Sequence, residues 1–395
     1  MVQPHNLESN IWKYTVSLVT NKRIFAAILG AYYLTVPDVT AQTIGFIVLV
    51  GNLAGFLFEI PSGYLSDKMG HKQTLVFAHF LMLVSSILFA IANNTVLLII
   101  ASVFFNTAGA FRSGTGSAFM HETLRALGRD HEYAKVTGKS SSIGFLIPIV
   151  LTAAVPFLVE ISFKLPFIIA AGLDVIGLLV ALTFVAPNVP PVEIEEIKAT
   201  NFKQVLAEGR SLGYLKFSLF NALISGSLIA FSIFRAPYQI ELGILVIWFG
   251  VLLGAGRLMA SGLLFYSGKI KHWFTDIHAF NWFRIFLYTI LIALVALSDN
   301  LWLVLGTFIL INGFQWGLTQ ISQGFTMEII KQSKFKATLL SITSQIDSLI
   351  SGVGAFLIGA LIVKTSYQIG FAVLAGVFFG LTVMLNLYIV KRSRL

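Results

Sequence analysis

The stretch Glu59-Ile-Pro-Ser-Gly-Tyr-Leu-Ser-Asp-Lys-Met-Gly-His-Lys72 decides how this chain is read. It gathers glycine and charge into a tight turn between two long apolar runs. One acid, Glu59, stands inside the run that precedes the turn. A polar knot of this kind separates two elements that carry almost no charge of their own.

Composition says what surrounds the knot. Of 395 residues, 56% are hydrophobic and 11% are charged, and Phe alone occurs 35 times. A soluble domain carries roughly 25% charged residues, so this chain lacks the polar surface needed to face water. Its composition belongs in lipid. There is no Cys, which excludes disulfides, thiolate metal sites and thiol nucleophiles. The opening MVQPHNLESN holds no cleavable signal pattern, so insertion through the first span is expected.

Outward from the knot, apolar runs of about twenty residues recur, the length that crosses a hydrocarbon core. They cover 11–36, 44–65, 74–92, 96–119, 140–159, 165–186, 214–236, 244–266, 277–298, 301–325, 338–363 and 367–390. Strands of a membrane barrel would be shorter and would alternate apolar with polar residues. These runs do not alternate. The expected fold is an all-α membrane protein of twelve transmembrane helices.

The basic residues orient it. One set of alternate loops, with the C-terminal tail, carries Lys68, Lys72, Arg125, Arg129, Lys135, Lys139, Lys198, Lys203, Arg210, Lys269, Lys271, Lys331, Lys334, Lys336, Lys391, Arg392 and Arg394. The opposite loops carry only Lys164 and Lys364. This bias places the basic side, and both termini, in the cytoplasm of a bacterial-type inner membrane. The net charge of +9 therefore reads as a topology device and not as a nucleic-acid footprint.

Pro187-Asn-Val-Pro190-Pro191 ends the sixth run, and a charged stretch follows. Within it, 202–210 reads as a short helix on the membrane surface or as a solvated connector. The chain divides into a six-helix bundle at 1–187, a cytoplasmic linker at 188–213 and a second bundle at 214–395. The halves echo each other: Gly268 follows Gly63 by 205 residues, and Phe314-Gln-Trp-Gly317 follows Phe111-Arg-Ser-Gly114 by 203. Two related bundles are the economical reading.

These features resemble the major facilitator superfamily of secondary transporters. GYLSDKMGHK is similar to that family's loop between helices two and three, with Gly63, Asp67, Lys68, Gly70 and Lys72 in place and His71 where a basic residue is usual. Arg112-Ser-Gly114-Thr-Gly116 resembles its fourth-helix motif. The resemblance implies a cytoplasmic latch, closed while the transporter faces outward, made by the loop residues. Glu122 is the acid that Lys68 and Lys72 would meet. The alternative is a turn that merely retains its lysines inside. The helix-five pattern common in exporters is reduced here to Gly144-Phe-Leu-Ile-Pro148, and GKIKHWF, the loop's counterpart, has no Asp.

The loop also makes sense from its residues alone. Gly63 and Gly70 are expected to permit the turn, and Asp67 to favour the positive end of a neighbouring helix. Glu59 lies eight residues before Asp67, about 12 Å deeper along a helix. Burial favours the protonated form of a carboxyl, which a proton carrier needs. A permanent ion pair, or a bond to backbone freed by Pro61, is the alternative.

Lys22 and Arg23 fall near the middle of a continuous first span. Successive helix positions diverge by about 100°, so one faces a cavity and the other a neighbouring helix. A span beginning at Ile24 would leave both at the interface but would be too short to cross. Arg112, Asp174, Arg257 and Asp347 complete the deep charges, with Asn52 related to Arg257 by 205 residues. For each, a structural ion pair and a substrate contact stand open. Arg284 is expected to snorkel to the interface. Deep cations outnumber deep acids, which suits an anionic or zwitterionic substrate. Tyr32, Tyr33, Trp248, Trp282 and Trp316 are read mostly as lipid-facing or interface anchors.

His79, His121, His131 and His278 show no metal-ligand spacing, and no phosphate-binding loop occurs. No cofactor is expected, and energy comes from an ion gradient. The expected function is proton-coupled export of a small amphipathic organic compound by a monomer working through alternating access. Import of an organic anion by proton symport is the rival within that class. A receptor or scaffold on a transporter fold, or a membrane enzyme, is the rival outside it.

Overall fold

The computed structural model describes residues 4–187, 202–331 and 336–393. Much of the expected linker lies outside them, as do Lys198, Lys334 and Arg394 of the basic loops. The side chains of Asp67, Lys203, Lys336, Lys391 and Arg392 lie outside them too. Among the described residues every regular element is helical, and eleven helical stretches are long and apolar enough to cross a membrane.

The chain clusters into two compact units, Met1–Val39 with Val50–Glu195, and Thr40–Leu49 with Glu196–Leu395. The first half runs α1 (Pro4–Thr20), α2 (Leu29–Tyr33), α3 (Ala41–Met69), α4 (His71–Ile91), α5 (Thr95–Arg112), α6 (Thr115–Ala126), α7 (Tyr133–Ala154) and α8 (Leu165–Leu182). After it come α9 (Phe202–Ser211), α10 (Tyr214–Ile233), α11 (Arg235–Glu241), α12 (Ile247–Phe265), α13 (Ser267–Lys271) and α14 (Ile277–Leu297). The last are α15 (Leu301–Gly317), α16 (Thr319–Ile329), α17 (Lys336–Lys364) and α18 (Tyr367–Ser393). Short side chains start several of them. Asn94, Asp276 and Asn300 each accept a bond from the backbone three residues on, at 2.9, 2.8 and 3.1 Å, meeting donors that a helix start leaves unpaired.

The first span departs from the expectation. Helix α1 stops at Thr20, and the backbone from Asn21 to Ile28 proceeds through tight turns before α2 resumes. The reason lies in the side chains. Arg23 donates to the carbonyls of Asn21 (3.2 Å) and Thr20 (3.3 Å), and Asn21 donates to that of Ser17 (2.7 Å). Carbonyls at a helix end need such partners, and these residues supply them in place of a further turn. Lys22 and Arg23 therefore sit at a break and not along a continuous helix.

The loop after the second span is also rearranged. Helix α3 runs straight through Pro61 and Gly63 to Met69, and nothing stands where a Cβ on Gly63 would go. The turn is made by Gly70 alone, at φ 92°, a conformation that side chains with a Cβ rarely adopt.

In membranes, packing relies on small residues that let helices approach. A Cβ on Gly51 of α3 would lie 2.6 Å from Asn106 of α5, and one on Gly256 of α12 would lie 2.9 Å from Asn312 of α15. These contacts recur 205 and 206 residues apart. An aromatic cluster recurs too. Phe25 meets Phe167 at 4.5 Å and Tyr32 meets it at 4.2 Å; Phe231 meets Phe371 at 4.7 Å and Tyr238 meets it at 5.4 Å. Tyr32 and Tyr33 are thus buried core and not lipid-facing anchors. Each ring pair contributes about 0.5–1.5 kcal/mol beyond its burial. The segment expected at 202–210 is helical and packs Val205 against Tyr214, Ile330 and Leu339.

The first turns of α3 belong with the second unit for a related reason. A Cβ on Gly45 would run into the Ala355 backbone of α17, and one on Gly359 of α17 would run into that of Ala41. The two backbones cross in contact.

Candidate functional site

The deep charges sort into three kinds by their partners. Asp174 of α8 is fully buried. It accepts from both terminal nitrogens of Arg23, at 3.0 and 2.8 Å, and from the Ser86 hydroxyl of α4 at 2.5 Å. Arg23 also donates to Ser86 at 3.1 Å. This is a closed ion pair, every oxygen of which is engaged. Beside it His79 is buried, with Nε2 2.7 Å from the Ser17 hydroxyl and 3.2 Å from the Asn21 amide.

A second kind is the acid without a cation. Glu59 is half-buried on α3, with the Ser113 side chain near enough to influence its carboxyl. Asp347 of α17 accepts from the Ser225 hydroxyl of α10 at 3.0 Å, while its Oδ1 is buried with no hydrogen-bond partner. A hydroxyl can donate to a carboxylate or accept from a carboxylic acid, so these two sites tolerate both protonation states. Asp174 does not have that freedom.

The third kind is the cation without an acid. The Nε of Arg112 is buried and unbonded, with Tyr14 and the Arg23 charge nearby. Arg257 of α12 places its guanidinium 4.3 Å from the ring centre of Trp316 on α15, and its charge acts on Arg235, the first residue of α11. Arg284 does not snorkel. It is 4% exposed, donating to Asn221 (2.8 Å), Asn281 (2.7 Å) and Ser322 (3.3 Å), with its plane 4.5 Å from Phe280. Lys22 and Asn52 are half-buried, and Asn52 and Arg257 each follow one of the equivalent glycines, Gly51 and Gly256.

At the loop, the partner of Glu122 is His71, with Nε2 3.2 Å from Oε1. The other ring nitrogen lies 2.8 Å from the Ser66 hydroxyl, which accepts from Thr115 at 3.1 Å. Lys68 lies exposed over the Tyr64 ring at 6.0 Å, so the residue that departs from the family pattern makes the contact expected of the lysines. In the second unit Lys271 pairs with Glu328. The two glutamates are 206 residues apart, in the register of the repeat, while their bases come from different positions.

Sequence reasoning missed Arg235, Ser86 and Ser225 as site residues. Arg235 is the next-to-last residue of an apolar run and reads as an interface residue. Its signal was a cation flanked on both sides by Ser-Ile-Phe and Ala-Pro-Tyr. The serines carry no signal of their own.

The sequence profile of the Major Facilitator Superfamily matches residues 14–346. The chain is 22% identical over 344 residues to a quinolone resistance protein, NorA, of Staphylococcus aureus strain COL, covering 83% of each. It is 24% identical over 216 residues to an uncharacterized transporter of Buchnera aphidicola subsp. Schizaphis graminum, covering 54% of this chain and 53% of that one. Among solved structures, the nucleoside transporter NupG superposes over 100% of both chains with a TM-score of 0.72 at 14% identity. A bacterial homologue of the human lysosomal transporter Spinster, inward-facing and unoccupied, gives 0.73 at 13% identity over 99% and 98%. At these identities the structures speak for the fold alone.

Proposed function

Because the chain belongs to the Major Facilitator Superfamily and is a multi-pass membrane transporter, we propose that it couples proton entry to export of a small amphipathic organic compound. The observation that carries this reading is the sorting of the acids. Asp174 is committed to Arg23, whereas Asp347 has a hydroxyl partner, Glu59 has the Ser113 side chain beside it, and neither has a cation among the described residues. Those two acids are the proton carriers. The name of the Staphylococcus relative, a resistance protein, supports export.

In this reading the protein is a monomer in a bacterial cytoplasmic membrane with both termini inside, as the basic loops indicate. Residues 1–187 and 214–395 are the two bundles that alternate access, and 188–213 links them. Gly70, His71 and Glu122 form the cytoplasmic latch, with Gly63, Asp67, Lys68 and Lys72 around it. Arg23 and Asp174 hold span one to its bundle, and Lys22, Asn52, Arg112 and Arg257 line the route.

A second reading, import of an organic anion by proton symport, is favoured by Arg235 and Arg257, which have no acid partner. Proteoliposomes separate the two. Tracers of fixed charge, 2-naphthalenesulfonate and 2-naphthyltrimethylammonium, are offered against protein-free vesicles as the blank. An acid interior drives uptake by antiport, and an alkaline interior drives it by symport. Glu59→Gln or Asp347→Asn should abolish the gradient-driven component and leave tracer exchange intact. Normal coupling in both variants would remove these acids from the mechanism.

A further inference from the structure

Arg235, Arg257 and Trp316 come from three helices of the second unit, α11, α12 and α15. Arg257 lays its guanidinium on the Trp316 ring at 4.3 Å, and its charge is felt at Arg235, the first residue of α11. Both arginines are half-buried, and Trp316 is 40% exposed.

This group lacks a partner acid among the described residues, as Arg112 does, but it combines two cations with a partly exposed aromatic ring. Arg23 has Asp174, Arg129 has Glu8 and Glu132, and Lys271 has Glu328. Arg284, buried without an acid, has three amide or hydroxyl oxygens around it. Among the described residues, Arg235 and Arg257 have neither a carboxylate nor a hydrogen-bonded oxygen. Charged side chains within a membrane span are costly and persist where they serve a pathway. Two cations placed together in this way offer a favourable seat for an anion, whose charge would offset both.

The chemistry of the anion follows from the donors. A guanidinium presents a planar fork that fits two oxygens of one carboxylate, sulfonate or phosphate group. The open part of Trp316 is a flat apolar surface, suited to a ring stacked with offset. Arg257 already covers part of that ring, so a ligand cation would have to displace it and then face Arg235.

We propose that Arg235, Arg257 and Trp316 form a binding site for an organic anion with a flat apolar body. The inference rests on the transporter reading for the anion's role as cargo, and it holds for either direction of transport. Binding itself needs no gradient, which makes the two separable.

The test is equilibrium binding of radiolabelled 2-naphthalenesulfonate to the full chain in nanodiscs at equal pH on both sides. Saturable binding is expected, uncompeted by 2-naphthyltrimethylammonium. Arg235→Gln and Arg257→Gln should each weaken it at least tenfold, and Trp316→Leu several-fold, with an unchanged melting temperature. If a Gln variant does not fold, Arg257→Lys keeps the charge and loses the fork, and it should also bind at least tenfold more weakly. Absence of saturable binding, equal competition by the cation, or full affinity in the folded arginine variants would overturn the site. Anion binding without gradient-driven flux would leave the site standing and overturn the transport cycle. Gradient-driven flux of the cation with no saturable binding of the anion would do the reverse.

Discussion

Arg23 and Asp174, 151 residues apart in sequence, meet through two parallel guanidinium–carboxylate bonds of 3.0 and 2.8 Å, with Ser86 closing the remaining side. Removing one partner of a buried pair strands the other charge and costs about 3–5 kcal/mol. Asp174→Asn should therefore lower unfolding free energy by that order in detergent titrations. Ser86→Ala, which loses a hydrogen bond to a charge, should cost about 1.5–3 kcal/mol. Replacing both partners, Arg23→Met with Asp174→Leu, should recover only part of the loss, because the Thr20 and Asn21 carbonyls also lose their donor.

The glycines of the loop should behave unequally. Gly70 holds φ 92° and ψ 146°, where a side chain is strained by about 1–3 kcal/mol. Gly63 is an ordinary helical position with open space at its Cβ. Gly70→Ala should destabilise by that amount, while Gly63→Ala should be neutral or stabilise by up to about 1 kcal/mol. Thermal unfolding of the pair side by side decides it.

The crossing of α3 and α17 admits no side chain at Gly45 or Gly359, since each would press on backbone that cannot rotate away. Gly45→Ala or Gly359→Ala should destabilise by about 1–3 kcal/mol through overpacking. The comparison with Gly63→Ala controls for helix propensity, and unfolding titrations give the magnitude.

One pH dependence is confined to a loop. Arg129 donates to Glu132 at 2.7 Å and to Glu8 at 2.8 Å, and the hydrogen bond from Arg129 holds the Glu132 carboxyl below its usual 4.5. A carboxyl lowered on folding stabilises fully above its unfolded value, and the contribution fades as pH falls through the folded value. Unfolding curves taken from neutral pH downward should lose a small, salt-sensitive increment below about pH 4.5. Glu132→Gln should lose it at every pH.

The helical membrane fold was legible because it depends on run length and charge bias, which composition displays directly. The repeat was legible only faintly. Gly63 and Gly268 suggested the register, but the contacts that embody it, Gly51 with Asn106 and Gly256 with Asn312, need helix partners to be known. The break after Thr20 was hidden, since Ile24-Phe-Ala-Ala-Ile-Leu is as apolar as any helix and hydropathy does not register which carbonyls a side chain takes. Site chemistry was half visible. The sequence marks Arg23, Glu59, Asp174 and Asp347 as buried charges, but only coordinates tell a saturated acid from an open one.

The interruption at Asn21–Ile28 bears on how the protein is made. During synthesis, Arg23 leaves the ribosome long before Asp174 exists to neutralise it. On the translocon scale a mid-span arginine costs about 2.5–3.5 kcal/mol. The first segment is therefore a poor anchor in its own right, and its final seat waits until the sixth has entered the bilayer. Biogenesis of this half should proceed as a late, collective closure, and truncations ending before Asp174 should leave the amino-terminal segment loosely held and open to proteolysis.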